Sequence, residues 1–196
     1  MYILKALPYE YDELEPFIDT HTLGLHKNKH QANYLKKLND LLLKNNYDFR
    51  YSLENLTKNI NEFSFNNKED ILFNLGGVIN HDLYFNSMSP NKILPNKNLQ
   101  ALIDEIYGSF DNMQKEFKTM ALSLKGSGYT FLVLDGRKLK IVNLINQDNP
   151  YSYHYVPLIA LDMWEHAYYL NYENKKDLYI DNFFDVISFA MANKIF

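Results

Sequence analysis

A carboxylate and an imidazole stand four residues apart in the segment 162–166, Asp-Met-Trp-Glu-His, which also carries the only tryptophan of the chain. The segment follows a short, strongly apolar run that predicts a buried strand. Both side chain types are common metal ligands. The structural alternative is that Asp162 caps the N-terminus of a helix while His166 lies on an exposed turn.

Two further histidines and a tyrosine, His26, His30 and Tyr34, are spaced i, i+4, i+8. On a helix this spacing places two imidazoles and a phenol along one stripe, so that they reach the same neighbourhood. A pair of histidines packed in the core or at the surface explains the same spacing. The segment alone does not decide between the two interpretations.

His81 lies in an apolar pattern of helical spacing that also contains Gly76 and Gly77. Two glycines cost a helix about 1–2 kcal/mol relative to alanine. They indicate either the close approach of another group beside a site or a break between two shorter helices. The segment leaves both open.

Three imidazoles and one carboxylate from these segments would form a nitrogen and oxygen ligand set, which suits manganese or iron. The chain has no cysteine, so disulfides, thiolate nucleophiles and thiolate metal ligands are all excluded. Zinc accepts the same ligands and stays open on ligand type. A mononuclear non-haem iron oxygenase is a rival interpretation, but it needs only two histidines and one carboxylate, and a third histidine is available here.

The bulk composition limits the kind of protein this is. With 196 residues, of which 46% are hydrophobic, the chain suffices for one compact unit in one or two layers. Its formal net charge of −4 gives it no electrostatic reason to bind nucleic acid. No basic N-terminal region precedes a long apolar stretch, and no run of about 18 apolar residues occurs. We expect a soluble, cytoplasmic protein without a membrane partner.

The elements that must position these side chains divide at a segment rich in asparagine and proline, residues 86–98. Before it, apolar residues at helical spacing predict two long helices and short connecting ones. After it, helix is expected over about 98–125, with an interruption at Gly108-Ser109, and again from about Trp164 to the C-terminus. The sequence therefore predicts two parts with different contents.

Three apolar runs rich in aromatic and β-branched residues predict strands at 129–134, 139–145 and 155–161. Asp135-Gly136 predicts a tight hairpin turn, and Pro157 indicates an edge position for the third strand. The predicted fold class is α+β. An N-terminal antiparallel helical hairpin domain would span residues 1–89, and a C-terminal domain with a small three-stranded antiparallel sheet flanked by helices would span residues 90–196.

With these motifs, the chain resembles the iron/manganese superoxide dismutase family over essentially its whole length, from the Leu-Pro-Tyr opening at residues 7–9 to the C-terminal helix. The matching segments occur in family order: His26 with Lys29-His30 and Tyr34, Gly76-Gly77 before Asn80-His81, Gly126-Ser127-Gly128, Asn146-Gln147-Asp148, and Asp162-x-Trp164-Glu165-His166-Ala167-Tyr168-Tyr169. The last of these motifs, at residues 162–169, is highly specific.

The resemblance implies a superoxide dismutase that converts superoxide to oxygen and hydrogen peroxide by cycling one manganese or iron ion per chain between its trivalent and divalent states. It implies that His26, His81, Asp162 and His166 are the metal ligands. It also implies a homodimer, or a tetramer, because Glu165 and Tyr169 match family residues that cross a dimer interface.

The resemblance further implies catalytic roles for His30 and Tyr34 as a solvent gate, for Gln147 as the hydrogen-bond partner of the metal-bound solvent, and for Trp164 in the lining of the site. In manganese-type members this glutamine comes from the Asn-Gln-Asp segment and a glycine stands in the helix before the second ligand. Gly77 together with Gln147 therefore favours manganese, while use of either metal stays open.

The chain also departs from the family pattern. Where many members have tryptophans, it has Phe85, Tyr129 and Phe131, and where a glycine is frequent it has Ala160. A further departure lies in the segment 172–179, where the family usually carries an arginine and this chain has none. Lys175 or Lys176 can supply the positive charge there, but a lysine cannot make the planar, bidentate contact of an arginine. This loss favours a second rival: a metal-binding or interaction protein of the same descent that no longer dismutates.

Retention of His30, Tyr34 and Gln147 argues against that rival, because holding a metal does not require them. The two remaining histidines, His21 and His154, are expected to be surface or packing residues without a role in the site.

Overall fold

The first half of the chain is helical, and a computed structural model describes all 196 residues. Asp19 caps the first helix by accepting a hydrogen bond from the backbone N–H of Thr22. The helical elements of the first half are α1 (Thr20–Leu25), a π-helical turn (His26–Gln31), α2 (Ala32–Lys44), α3 (Leu53–Lys58), a short 3₁₀ turn (Ile60–Glu62) and α4 (Lys68–Asn86). Helix α2 packs along α4, as predicted for a helical hairpin.

The helical run from Thr20 to Lys44 is interrupted by the π turn His26–Gln31. π-helical turns are rare in proteins, and those that occur often lie at functional sites. The turn contains two of the histidines that the sequence singled out, His26 and His30. The predicted stripe of His26, His30 and Tyr34 therefore spans a π turn and the start of α2 rather than one regular helix.

The second half begins with two helices, α5 (Lys97–Tyr107) and α6 (Phe110–Ser123). The predicted interruption is confirmed: Gly108, with φ +80°, ends α5, and the Ser109 side chain caps α6 by accepting from the Asn112 N–H. The remaining elements are β1 (Gly128–Asp135), β2 (Lys138–Ile145), β3 (Val156–Asp162), α7 (Tyr169–Tyr172), α8 (Lys176–Asp185) and three 3₁₀ turns (Pro150–Tyr153, Glu165–Ala167, Ala192–Lys194).

The three strands form one antiparallel sheet in the order β2-β1-β3. Asp135 pairs with Lys138, so the hairpin loop has two residues, and Gly136 supplies the positive φ of +61° that such loops need. Strand β3 is an edge strand, as Pro157 predicted, and the register shifts between Leu132 and Val133 where β1 meets it.

The sheet separates two environments. Tyr129 pairs with Asp162 and Phe131 with Ala160, so these four side chains share one face of the sheet. Helix α4 packs against β3, and the Tyr129 ring on this face lies 6.1 Å from the His81 ring of α4, whereas α6 packs against β1 and β2. Since α4 carries His81, the sheet and α4 together bring Asp162 and His81 towards each other. The α+β fold class is confirmed.

The C-terminal segment departs from the expectation of helix throughout. After α8 the chain is extended around Ile187 and Ser188, which form isolated bridges with Met88 and Ile93. These bridges tie the chain end to the segment that links the two halves. The apolar core is continuous across both halves. None of the helices has both the length and the apolar character that a membrane span requires.

Candidate metal centre

Four side chains from distant parts of the sequence meet between the two halves. His26 comes from the π turn, His81 from α4, Asp162 from the last position of β3, and His166 from the 3₁₀ turn that follows. One nitrogen or oxygen atom of each lies within 4.8 Å of the others. His26, His81 and Asp162 are buried, and His166 retains 14% of its side chain exposure. The structure thus brings together the four residues that the resemblance implied.

The orientation of His81 is fixed by its own helix. Its Nδ1 lies in hydrogen-bonding contact with the carbonyl oxygen of Gly77. Because a carbonyl can only accept, Nδ1 carries the proton and Nε2 presents a lone pair to the site. Nε2 of His81 and Nε2 of His166 are buried and have no hydrogen-bond partner. Buried, unpaired imidazole nitrogens are costly, and a bound cation removes that cost.

The Asp162 carboxylate is held at both oxygens. Oδ1 accepts a hydrogen bond from the backbone N–H of Trp164 at 2.8 Å, and Oδ2 lies 3.1 Å from Nε2 of His26 and 3.6 Å from Nε2 of His166. The hydroxyl of Tyr179 donates to the Asp162 carbonyl at 2.9 Å. The turn-capping role that was the structural alternative is therefore real, but it uses only one of the two oxygens.

The electrostatics of the cluster favour the forms that bind a cation. Burial, reinforced by neighbouring imidazoles against the opposing effect of Asp162, lowers the pKa of His26 to about 4. Burial likewise lowers the pKa of His81 well below its ordinary value. Burial acts to raise the pKa of Asp162, but the neighbouring imidazoles of His166 and His26 outweigh it and hold that pKa well below its usual range. The cluster presents an ionised carboxylate and neutral His26 and His81 imidazoles at neutral pH, as metal ligands must be.

These shifts predict how the stability of the metal-free protein depends on pH. An unfolded histidine titrates near 6.5, so between about pH 6.5 and 4 the unfolded chain binds more protons than the folded one. The free energy of unfolding should therefore fall as the pH falls, by about 3 kcal/mol from His26 alone, given its folded pKa of about 4. Urea unfolding of the metal-free protein between pH 7 and 4 measures this dependence.

Two variants serve as checks on this pH dependence. His26→Gln should make the slope smaller because it removes one of the two buried histidines whose pKa is lowered, and His154→Gln, which replaces an exposed histidine, is the control. A free energy of unfolding that stays constant from pH 6.5 to 4.5 in the unmodified chain would contradict the assignment.

The predicted catalytic residues surround the four-residue cluster. The ring of His30 stacks on that of His166, with centroids 4.1 Å apart and planes 17° apart. The Tyr34 hydroxyl accepts a hydrogen bond from Nε2 of the buried Gln147 at 3.2 Å. The Oε1 atom of Gln147 in turn accepts from Nδ2 of Asn80 at 3.3 Å. Since Asn80 precedes His81 on α4, the amide of Gln147 is tied directly to the helix that carries His81.

The two glycines of α4 allow this approach. A methyl group at Gly76 would lie 1.8 Å from the backbone oxygen of Gln147, and one at Gly77 would lie 2.5 Å from the ring of Tyr34. Helix α4 runs without interruption from Lys68 to Asn86. Of the two explanations for the glycines, close approach beside a site is confirmed and a break between helices is wrong.

Replacing Gly76 with alanine is expected to destabilise the protein by about 3 kcal/mol or more, because the clash is with backbone that cannot rotate away. Gly24 is the matched control: it lies in α1 with nothing within 4 Å of an added methyl group. Gly24→Ala should stabilise by about 0.5–1 kcal/mol. Thermal or urea unfolding of both variants decides the matter, and equal effects would contradict the packing described here.

Aromatic rings enclose the cluster. The ring centroids of Tyr84 and Phe85 lie 5.3 and 5.1 Å from that of His26, and the half-buried Trp164 stacks on His166 at 5.5 Å. Tyr129 lies 6.1 Å from His81, and Phe131 stacks on Tyr129 at 5.8 Å. The positions predicted to carry aromatic bulk in place of tryptophan do so, and they keep the cluster largely dry.

Other residues named from the sequence lie outside the cluster. Glu165 and Tyr169 are exposed next to His166 and Trp164. Lys175 is exposed, and the Lys176 ammonium lies 5.8 Å from the centroid of the Tyr168 ring. His21 and His154 are both exposed, as expected.

Sequence reasoning missed a buried polar network beside the histidines. The ammonium of Lys27 donates to Oε1 of Gln31 at 2.7 Å, and Nε2 of Gln31 donates to Oδ1 of Asp82 at 2.6 Å. Lys5 pairs with the other oxygen of Asp82 at 3.0 Å. The network ties the π turn to α4. Its one signal in the sequence was the i, i+4 spacing of Lys27 and Gln31, which is also typical of a solvated helix face.

The sequence was compared with known proteins. The α-hairpin domain of iron/manganese superoxide dismutases matches residues 1–89, and the C-terminal domain of the same proteins matches residues 95–195. A superoxide dismutase [Mn] of Listeria monocytogenes is 38% identical over 196 residues, covering 100% of this chain and 97% of the relative. A superoxide dismutase [Mn] of Buchnera aphidicola is 36% identical over 199 residues, covering 98% and 97%. Superoxide dismutase [Mn] 2 of Bacillus anthracis is 37% identical over 192 residues, covering 97% and 92%.

Proposed function

Because the chain belongs to the iron/manganese superoxide dismutase family, we propose that His26, His81, Asp162 and His166 hold its redox ion. The observation that carries this assignment is the convergence of the four ligand atoms within 4.8 Å. Two of those atoms, the Nε2 nitrogens of His81 and His166, are buried without any partner in the protein. Three imidazoles and one carboxylate are a donor set that fits manganese or iron.

The chain is an oxidoreductase that converts superoxide to oxygen and hydrogen peroxide and takes one manganese or iron ion. When bound, the ion supplies the one-electron redox cycle between trivalent and divalent states. One superoxide gives up an electron and leaves as oxygen. A second superoxide gains an electron and two protons and leaves as hydrogen peroxide. The residues around the site must therefore admit a small anion and deliver protons.

Tyr34 is placed to supply a proton. Its oxygen accepts from Gln147, so its own hydrogen is free to be donated to a species bound in the site. His30, half-buried and stacked on His166, lies between the site and the surface, where it can pass a replacement proton inward. The indole N–H of Trp164 donates to the Asn146 carbonyl at 3.1 Å, and this bond helps to hold the segment that carries Gln147.

We also propose that manganese is the preferred ion. Gln147 reaches the site from the segment after β2, and Gly77 leaves the room that Tyr34 occupies in front of it. Hydrogen bonds of this kind around a metal set its reduction potential and the acidity of its bound solvent. The relatives named above carry manganese in their names.

Separate reconstitution with manganese and with iron tests both proposals. The metal content of each preparation is measured by mass spectrometry and its activity by the disappearance of superoxide. Activity with manganese alone is the expected result. Equal activity with both ions would overturn the preference while leaving the ligands in place. A preparation that binds about one metal per chain but removes no superoxide would leave the ligand assignment standing and remove the activity.

We further propose a homodimer in the cytoplasm, or a tetramer built from it, in which Glu165 and Tyr169 lie at the subunit interface. Both side chains are exposed beside His166, and Tyr169 is followed by the exposed Leu170. We also propose that each chain divides into two structural units, residues 1–89 and residues 90–196. Sedimentation equilibrium is expected to give twice or four times the chain mass, and Tyr169→Arg is expected to shift it towards the monomer.

A further inference from the structure

Tyr129 is the one aromatic residue on the sheet face of the site that carries a hydroxyl group. It lies on β1 directly opposite Asp162 of β3, so the two side chains emerge side by side from the same face of the sheet. Its ring is fully buried and is held against Phe131, with ring centroids 5.8 Å apart. The hydroxyl is therefore placed among the proposed metal ligands by rigid secondary structure.

The one hydrogen bond of this hydroxyl leaves its own hydrogen without an acceptor. The oxygen lies 3.4 Å from Nδ1 of His81. Since Nδ1 carries the proton that faces the Gly77 carbonyl, the Tyr129 oxygen can only accept from it. A phenol has one hydrogen to donate, and that hydrogen must then point away from His81. The Asp162 side chain stands beside Tyr129 as its cross-strand neighbour, and an ionised carboxylate is a stronger acceptor than a neutral group.

The charge environment supports this geometry. The pKa of Tyr129 is raised well above its ordinary value, first by burial and then by the negative charge of Asp162. A phenol in these surroundings stays protonated and acts as a donor. In a dry, aromatic-lined pocket a hydrogen bond to a charged acceptor is electrostatically strong.

We propose that Tyr129 is a positioning residue whose hydroxyl donates to the Asp162 carboxylate and thereby sets the reduction potential of the ion that this carboxylate holds. This inference rests on the proposed metal centre. A hydrogen bond to the carboxylate withdraws electron density from it, so the trivalent ion is stabilised less than it would be by a free carboxylate. Tyr129 therefore raises the potential of the ion.

The test is Tyr129→Phe, which removes one oxygen atom and keeps the ring. At a fixed electrode potential, the ratio of trivalent to divalent ion is expected to rise about tenfold in this variant, which corresponds to about 59 mV for a one-electron couple. Metal content, measured on the same samples, should stay at the level of the unmodified chain. Spectroelectrochemical titration of the manganese-loaded protein provides the readout, which is independent of enzymatic activity.

Tyr9→Phe is the matched control. Tyr9 is also buried, and its hydroxyl donates to the Phe85 carbonyl at 3.0 Å and makes no hydrogen bond to any of the four proposed ligands. Its variant should keep the original ratio. An unchanged or lowered ratio in Tyr129→Phe, or an equal rise in Tyr9→Phe, would overturn the proposal.

If Tyr129→Phe does not fold, a second measurement on the unmodified protein tests the proposal. In a crystal structure of the metal-loaded, unmodified protein, the Tyr129 oxygen is expected within hydrogen-bonding distance of an Asp162 carboxylate oxygen, and a separation beyond that distance would overturn the proposal. Loaded protein that leaves superoxide untouched would remove the proposed function, yet the potential and the distance would still decide the role of Tyr129.

Discussion

Asp162→Ala is expected to leave a folded protein that no longer holds its ion. Asp162 is fully buried and supplies the only negative charge among the four proposed ligands. Without it, three neutral imidazoles must hold a di- or trivalent cation with no compensating charge in a dry pocket, which is strongly unfavourable. Changing residues that only support a ligand typically costs 10–100-fold in metal affinity or activity, so loss of this ligand should cost about 1000-fold or more.

The measurement is metal content by mass spectrometry after reconstitution, together with the rate of superoxide removal. Asp162→Asn separates charge from shape, because an asparagine can still accept from the Trp164 N–H while lacking the negative charge; it should bind metal almost as poorly as the alanine variant. Asp12→Ala, at an exposed position, is the control and should retain full content and activity. Metal bound at the normal level in Asp162→Ala would refute the ligand set.

Gln147→Leu is expected to retain the ion and lose most of the activity. The amide of Gln147 joins Tyr34 on one side to Asn80 on the other, at 3.2 and 3.3 Å. A leucine fills similar space but leaves the Tyr34 hydroxyl without the bond that orients it. Supporting contacts of this kind are worth about 10–100-fold in activity, and a loss of that size is expected here.

Pulse radiolysis of the manganese-loaded variant gives the rate, and mass spectrometry gives the content. Gln100→Leu is the matched control, since the amide of Gln100 bonds only Asp104 one turn along α5 on the exposed surface. Two results would contradict the role of Gln147: full activity in Gln147→Leu, or a loss of activity that merely follows a loss of metal.

The sequence predicted the sheet well because its signals are local. Aromatic and β-branched runs, a glycine in a two-residue loop and a proline at an edge each act over a few residues. The ligand types were also visible, because His26, His81 and His166 stand in distinctive segments. Spacing alone left a structural alternative for each of them, and only the family resemblance joined them into one site.

What the sequence did not predict depends on contacts between distant segments. The π turn at residues 26–31 and the inward orientation of Lys27 and Gln31 require Asp82 on α4, which is 51 residues from Gln31. The extended chain around Ile187 follows from its bridge to Met88. The hydroxyl of Tyr129 reads in the sequence as strand packing, and it reaches the site because β1 and β3 pair in one particular register. Tertiary pairing decided each of these features.

X-ray diffraction from crystals of the manganese-loaded protein, recorded on both sides of the manganese absorption edge, tests the central claim most directly. The anomalous difference locates the ion and identifies it in one experiment. The account predicts a single manganese peak per chain, within bonding distance of Nε2 of His26, Nε2 of His81, Nε2 of His166 and a carboxylate oxygen of Asp162. A manganese peak at any other group of residues, with no metal between these four, would contradict it.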